Sequence, residues 1–451
     1  MINYKILRLS GVHYSAVLTS LIDAFPNFIH LDYQTQLGCL FQHKALYSDS
    51  FSKSMRKLGH DSHEIIWDLE VVQKRWAEEY AVPFSEETWM LDILLEQIRV
   101  LRPEVIYFQG TELCISGRFS DRYKVLNLAT ILKTKFSFIR QIVMFSGYPS
   151  HVSRVEDVDI LFSGTPAIAD HYQRSGIEST LCYHAFDEDV ISKVDFGSPS
   201  IYDVTFVGST QAPGERYWVL RELLARTPIH LWIDSVDEEQ ARKMFFVEIW
   251  KTQKSSLREM IKGWLRKMLE ISNRGFVEKL AQIQRLPVPL KNVLNEIIKG
   301  AATEKRTTTD KKSKIVKRLP PQTLSAMYPD RCSPPVTGMD YYNILKYSRI
   351  SFNKHTDRSM GTVGNLRLFE ATGMGSCLLS DGGTNIRELF EPDYEIVIYN
   401  SVDEVVEKID YLLNNEHERR TIAEAGQRKT LKSHTIFNRC QLIDEVIRSS
   451  L

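Results

Sequence analysis

Short apolar runs alternate with stretches of helical spacing at both ends of this 451-residue chain, and that alternation limits the fold more than any other feature. A run at 4–9 leads through the loop Ser10-Gly11-Val12-His13 into a helical pattern reaching about residue 23. Helical spacing over 50–58 stops at Gly59-His60 before a β-rich run at 63–67, and an amphipathic stretch over 87–102 breaks at Pro103 directly before the apolar segment 104–109. Further strands are predicted at 141–145, 160–162 and 179–183, with a helix over 165–176. Strands that read as unbroken apolar runs and are separated by helices belong to parallel sheets covered on both faces.

Periodicity is lost at about 191–202, where Gly197, Ser198, Pro199 and Ser200 suit a linker, and the rhythm then restarts with a strand at 203–207, the turn Gly208-Ser209, a helix over 215–226 and a strand at 229–233. From about 237 to 319 it breaks again. The segment 242–318 holds 20 Lys and Arg against 7 Asp and Glu, which leaves 37 against 50 elsewhere in a chain of zero net charge. Regular organisation returns over 341–352 and runs to closing helices over 423–447. The expected fold class is therefore α/β, with two Rossmann-like doubly wound domains, 1–195 and 203–451, and a helical basic insertion at about 237–325 within the second. The last helix is expected to cross back to the N-terminal domain.

At 43% hydrophobic and 25% charged the composition is that of a globular protein. Without an apolar run of about 18 residues no spanning helix is predicted, and the charged start does not read as a signal peptide, so a cytoplasmic location is expected. The six cysteines form no CxxC pair, so neither a disulfide framework nor a metal site is expected. Within the basic block, Lys251, Lys254, Arg258, Lys262 and Arg266 interleave with Leu257, Ile261, Trp264, Leu265 and Met268. Over 251–268 this spacing suits peripheral contact with the inner face of an anionic membrane. The favoured reading is a solvated face on a helical insert that packs against the donor domain, with membrane contact second and nucleic acid the least favoured partner.

The chemistry concentrates in one segment. A strand ending at Asn353 is followed by Lys354-His355, a polar loop to Gly364, the helical run Asn365 to Gly373, and a second strand ending in Asp381-Gly382-Gly383. Ligands of open parallel sheets bind beyond the carboxyl ends of the strands, where a helix N-terminus attracts anions. Gly361 and Gly364 would let the backbone approach a phosphate, Arg367 could hold a diphosphate oxygen pair, and Glu370 could accept hydrogen bonds from ribose hydroxyls. Lys354 and Gly208-Ser209 are candidates for the same phosphate. His13 and Tyr148 follow strands of the first domain and are candidates to orient or deprotonate an acceptor hydroxyl.

Asn353, His355, Asn365, Arg367, Leu368-Phe369-Glu370-Ala371, Gly375, Asp381, Glu388-Leu389-Phe390 and the later Ile422-Ala423-Glu424-Ala425-Gly426 resemble the C-terminal domain of group 1 glycosyltransferases, in particular the spore-maturation-protein-like branch. The likeness is strongest over 341–442. It implies a GT-B fold with two domains facing a cleft, a nucleotide-diphosphate sugar as donor, no obligatory metal or cofactor, and a saccharide, lipid-linked or protein acceptor. The catalytic candidates are therefore His13, Arg367, Lys354 and Tyr148, of which His13 and Tyr148 rest on their place after strands of the first domain, and the candidate donor contacts are Gly208, Ser209, Asn353, His355, Gly364, Asn365, Leu368, Glu370 and Asp381. Retaining members commonly place two glutamates eight positions apart, and here the first of those positions holds Thr362. Retention is the outcome the remainder of the motif implies. The alternatives are a non-catalytic nucleotide-sugar-binding or polyanion-binding protein on the same fold.

Overall fold

The structure is a computed structural model that describes residues 3–11, 15–44, 48–110, 127–151, 155–210, 215–233, 323–356 and 360–451. His13, the basic block 242–318 and its amphipathic stretch 251–268 lie outside the described residues.

Two six-stranded sheets organise the chain. The first comprises β1 (Lys5–Ser10), β2 (Asp61–Ile66), β3 (Val105–Phe108), β4 (Gln141–Ser146), β5 (Ile160–Ser163) and β6 (Thr180–Leu181), in the order β2-β1-β3-β4-β5-β6. The second comprises β7 (Tyr202–Val207), β8 (Ile229–Trp232), β9 (Cys332–Ser333), β10 (Ser348–Asn353), β11 (Cys377–Asp381) and β12 (Val397–Tyr399), in the order β12-β11-β10-β7-β8-β9. Neighbours pair in parallel from β2 through to β6 and from β12 through to β8. Parallel pairing demands covered faces, and β3, β4 and β5 are buried along their whole length.

Strand order reverses between β1 and β3 in the first sheet and between β7 and β10 in the second. Such switch points open a crevice at the carboxyl edge, because the connections on either side leave in opposite directions. The ends of β7 and β10 are Val207-Gly208 and Asn353-Lys354, which places the predicted motif at the second crevice.

Helix ends follow local chemistry. Thr165 caps Pro166–Gln173 by accepting from the Ile168 amide, with proline at the first turn where no amide is needed. Thr435 and Asn438 close Ile436–Ser450 with reciprocal side-chain bonds. Two helices absent from the sequence reading, Tyr33–His43 and Glu70–Glu79, also cover the first sheet.

By contacts the chain forms two compact units. One is Met1–Gly208, Glu222–Ile233 and Ser333–Leu451; the other is Ser209–Arg221 and Asp234–Cys332. The first unit thus contains strands of both sheets, and the reason is visible in how the chain crosses between them. Phe186 bridges to Thr435, and its ring lies 2.5 Å from where a Cβ on Gly373 would sit. Cys440, Ile443 and Ile447 of the final helix pack into one core with Tyr4, Ile6, Phe51 and Met55 of the first sheet and its covering helix. A buried ion cluster adds to this, with Lys44 Nζ 2.9 Å from Asp187 and 3.5 Å from Asp189. No described helix is long and apolar enough to cross a membrane.

Candidate active site

The helix Leu366–Gly373 begins at the switch-point crevice. Its N-cap, Asn365, makes no side-chain cap bond and instead donates from its amide to Asn353 Oδ1 at 2.9 Å. First-turn amides that the cap leaves untaken, together with the helix dipole, favour an anion at this end.

Arg367 bridges the two strands that define the crevice. Nη1 donates to Asn353 Oδ1 of β10 at 2.9 Å, Nη2 donates to the Val207 carbonyl of β7, and the guanidinium lies 4.5 Å from the Phe206 ring centre. Its Nε is buried with no partner among the described residues. Burial pulls its pKa down, while Tyr341, Glu370 and Asp381 oppose that shift. Gly208 stands here at φ +148, and a Cβ on it would collide with Nη2. Only glycine satisfies both the backbone and the space.

Glu370 sits one turn deeper and is buried. It accepts from the Tyr341 hydroxyl at 2.6 Å and from Tyr342 at 3.5 Å. Burial raises its pKa, against the tyrosine hydrogen bonds and the Arg367 charge. The expected ribose acceptor therefore has two phenols on its carboxylate. Leu368 is buried in the core around Phe369 and Met374, so its side chain contributes packing.

Asp381 organises the end of β11. It accepts from the His355 amide at 2.9 Å and 3.1 Å, from His355 Nδ1 at 2.7 Å and from Lys354 Nζ at 3.1 Å. Burial alone would raise its pKa, but the hydrogen bonds from His355 and the Lys354 charge outweigh that and hold it below the usual carboxylate range. His355 Nε2 is buried and has no partner among the described residues.

Gly364, at φ +157, would place a Cβ 3.0 Å from the Gly164 carbonyl and the Thr165 methyl and 3.2 Å from Tyr183, so the glycine loop meets the end of β5. Asn385 holds that loop: it accepts from the Val363 amide and donates to the Val363 carbonyl, both at 2.8 Å. It also donates to the Tyr183 hydroxyl at 3.1 Å, and Tyr183 donates to Glu388 at 2.9 Å. Burial and Glu388 push the Tyr183 phenol up to about 12.

On the first sheet, Tyr148 is half-buried beyond β4, and its carbonyl accepts from Ser146 at 2.8 Å. Nearby, His184 stands edge-on to Phe145, and burial with the Arg439 charge pushes its imidazole down to about 4. Ser209 opens the smaller unit, where its carbonyl accepts from Arg216 at 2.9 Å. Tyr341, Tyr342, Asn385 and Tyr183 were not singled out from sequence. Only the Tyr341-Tyr342 doublet offered a signal, and nothing in its spacing pointed to Glu370. Among the described residues no three His, Cys, Asp or Glu side chains gather as a metal cluster.

Residues 313–445 match the model of the family described as Glycosyl transferase-like. This part of the chain is similar to the glycosyl transferase-like family. Among solved structures, Anabaena HepE in complex with UDP and glucose is 12% identical, with 99% of this chain and 100% of that one covered and a TM-score of 0.50. Sucrose-phosphate synthase from Thermosynechococcus elongatus is 9% identical, with 99% of each chain covered and a TM-score of 0.50. No curated protein matches. The two parallel sheets and their flanking helices are the GT-B fold, and the segment that matches the family model holds the whole cluster from Asn353 to Asn385.

Proposed function

We propose that this GT-B protein transfers a sugar from a nucleotide-diphosphate donor to a saccharide, lipid-linked or protein acceptor. The observation that carries the reading is the β7/β10 switch point, where an uncapped helix N-terminus, Arg367 and the space kept by Gly208 converge. Negative charge builds on the leaving diphosphate as the glycosidic bond breaks, so fixed donors at that oxygen accelerate the reaction most. The first-turn amides of Leu366–Gly373 and Arg367 supply those donors, and Lys354, tethered by Asp381, adds a cation alongside. Glu370 serves the ribose by exchanging its Tyr341 partner for ribose hydroxyls. Tyr148 and the end of the first sheet face the acceptor.

No residue of this scheme forms a covalent bond to the sugar, and the donors at the diphosphate take the place that a divalent cation holds in metal-dependent transferases. The spore-maturation-like motif supports retention, which ¹H NMR of the anomeric proton in the first-formed product reads directly. A cytoplasmic location and contact between 251–268 and an anionic membrane complete the reading. Sedimentation with phosphatidylserine vesicles tests the latter.

Thermal-shift screening against UDP, GDP, CDP, dTDP and ADP and their sugars, beside Glu370→Ala, tests the donor assignment, because a ligand selective for the folded state raises the melting temperature. One nucleotide shifting the wild type and not the variant supports it. No shift with any nucleotide in folded protein removes it.

A further inference from the structure

His355 is 5% exposed, and both ends of its imidazole carry information. Nδ1 lies 2.7 Å from Asp381, a carboxylate that also gathers the His355 amide and Lys354 Nζ. An ionised carboxylate only accepts, so Nδ1 carries the hydrogen, and the neutral form of the ring then presents a lone pair at Nε2. That atom is buried and has no partner among the described residues. A buried acceptor without a donor is costly, and its usual explanation is a group that the protein binds.

The identity of that group follows from the lone pair. Oxygens of a diphosphate diester are acceptors and cannot satisfy it; a sugar hydroxyl can. Position agrees. Asn353, which receives Arg367, and His355 are two residues apart on the same strand end, a reach of about 7 Å in extended chain. That is the scale of the distance from a diphosphate to the ring hydroxyls of a hexose attached to it.

We infer that His355 Nε2 accepts a hydrogen bond from one hydroxyl of the transferred sugar, and that Asp381 sets this specificity by fixing the tautomer. The inference rests on the donor reading above and names the part of the donor that His355 reads. The charged groups recorded at the ring are Asp381 on β11 and, on the same carboxylate, Lys354.

The experiment measures dissociation constants by calorimetry for UDP, GDP, CDP, dTDP and ADP and for their glucose, galactose, mannose and N-acetylglucosamine derivatives, on wild type, His355→Phe, His355→Gln and Asp381→Asn. The nucleotide sugar that binds wild type is then compared with its 2-, 3-, 4- and 6-deoxyfluoro analogues. Fluorine cannot donate, so one analogue should bind wild type about tenfold more weakly than the parent. In His355→Phe that difference should vanish while the bare nucleoside diphosphate binds within about twofold of wild type. His355→Gln, which keeps an acceptor, should restore part of it, and Asp381→Asn should reduce it.

Equal loss for diphosphate and sugar nucleotide in His355→Phe, or an unchanged pattern across the analogues, overturns the inference and leaves the donor site standing. Failure of every nucleotide to bind folded wild type overturns the donor reading and this inference with it. If His355→Phe does not fold, the wild-type analogue series and Asp381→Asn decide alone: a uniform response across the analogues overturns the assignment.

Discussion

Glu370 and Asp381 are buried carboxylates whose surroundings drive them apart. Glu370 is raised chiefly by burial. Its native form holds a proton more readily than the unfolded one, so its contribution to stability is present at low pH and declines as pH rises through the native value. Glu370→Gln should therefore match or exceed wild type in melting temperature at pH 7 and still lose nucleotide binding at least about tenfold. Scanning calorimetry beside calorimetric titration reads both, and a variant that keeps nucleotide affinity removes Glu370 from the ribose. Asp381 runs the other way. Its depressed value adds stability above the unfolded carboxylate range, near about 4, that is lost as pH falls through the native value. Asp381→Asn should be less stable than wild type at neutral pH, and the gap should close in acid; a gap constant from pH 7 to pH 3 would contradict the ion-pair account. Both residues were legible because each lies in the contiguous run from Asn353 to Asp381, where motif and spacing coincide. Their partners were not. Tyr341 is 29 positions from Glu370, and only packing of Gly338–Lys346 against the site helix brings them together.

At the scale of elements, the Leu366–Gly373 helix works only as precisely as the loops that aim it. Gly208→Ala adds a methyl where Nη2 of Arg367 now lies and strains a backbone at φ +148. The expected result is a loss of about 1–3 kcal/mol of stability with a larger proportional loss of diphosphate affinity, because the guanidinium must leave its bridge between β7 and β10. Asn385→Ala removes both hydrogen bonds that hold Val363 and should weaken donor binding by about tenfold with a smaller drop in melting temperature than Gly208→Ala, since the Val363 side chain keeps its place in the core. A drop in melting temperature as large as that of Gly208→Ala would mean that Asn385 serves the fold and not the loop. Strands and site helix were readable from apolar runs and glycine breaks. Tyr33–His43 was not, because its buried stripe includes Gln36 and His43 beside Tyr33, Leu37 and Leu40, and a stripe that buries polar groups does not read as amphipathic.

At the scale of the molecule, the end of the chain is fastened to its beginning. Tyr4 donates to Asp444 at 2.8 Å, Arg448 pairs with the same carboxylate at 2.8 Å, and Cys440, Ile443 and Ile447 fill a core whose other wall is β1, β3 and the Ser50–Lys57 helix. The alternation of strands and helices announced two sheets, and the closing helices were visible as a pattern; that the last of them crosses back to the first sheet was expected, but the residues it meets there were not legible, because no periodicity says which surface an apolar stripe will meet. The contact has a measurable consequence. Ile447→Ala should cost about 2–4 kcal/mol through the cavity it leaves, and removal of Ile436–Ser450 should uncover Tyr4, Ile6, Phe51 and Met55 together. Both sheets lie in one contact unit, so the truncated chain should lose its cooperative thermal transition altogether. If it instead melts in a single transition at the wild-type temperature, the final helix is an appendage; if it shows two transitions, the sheets fold separately and the helix only tethers them.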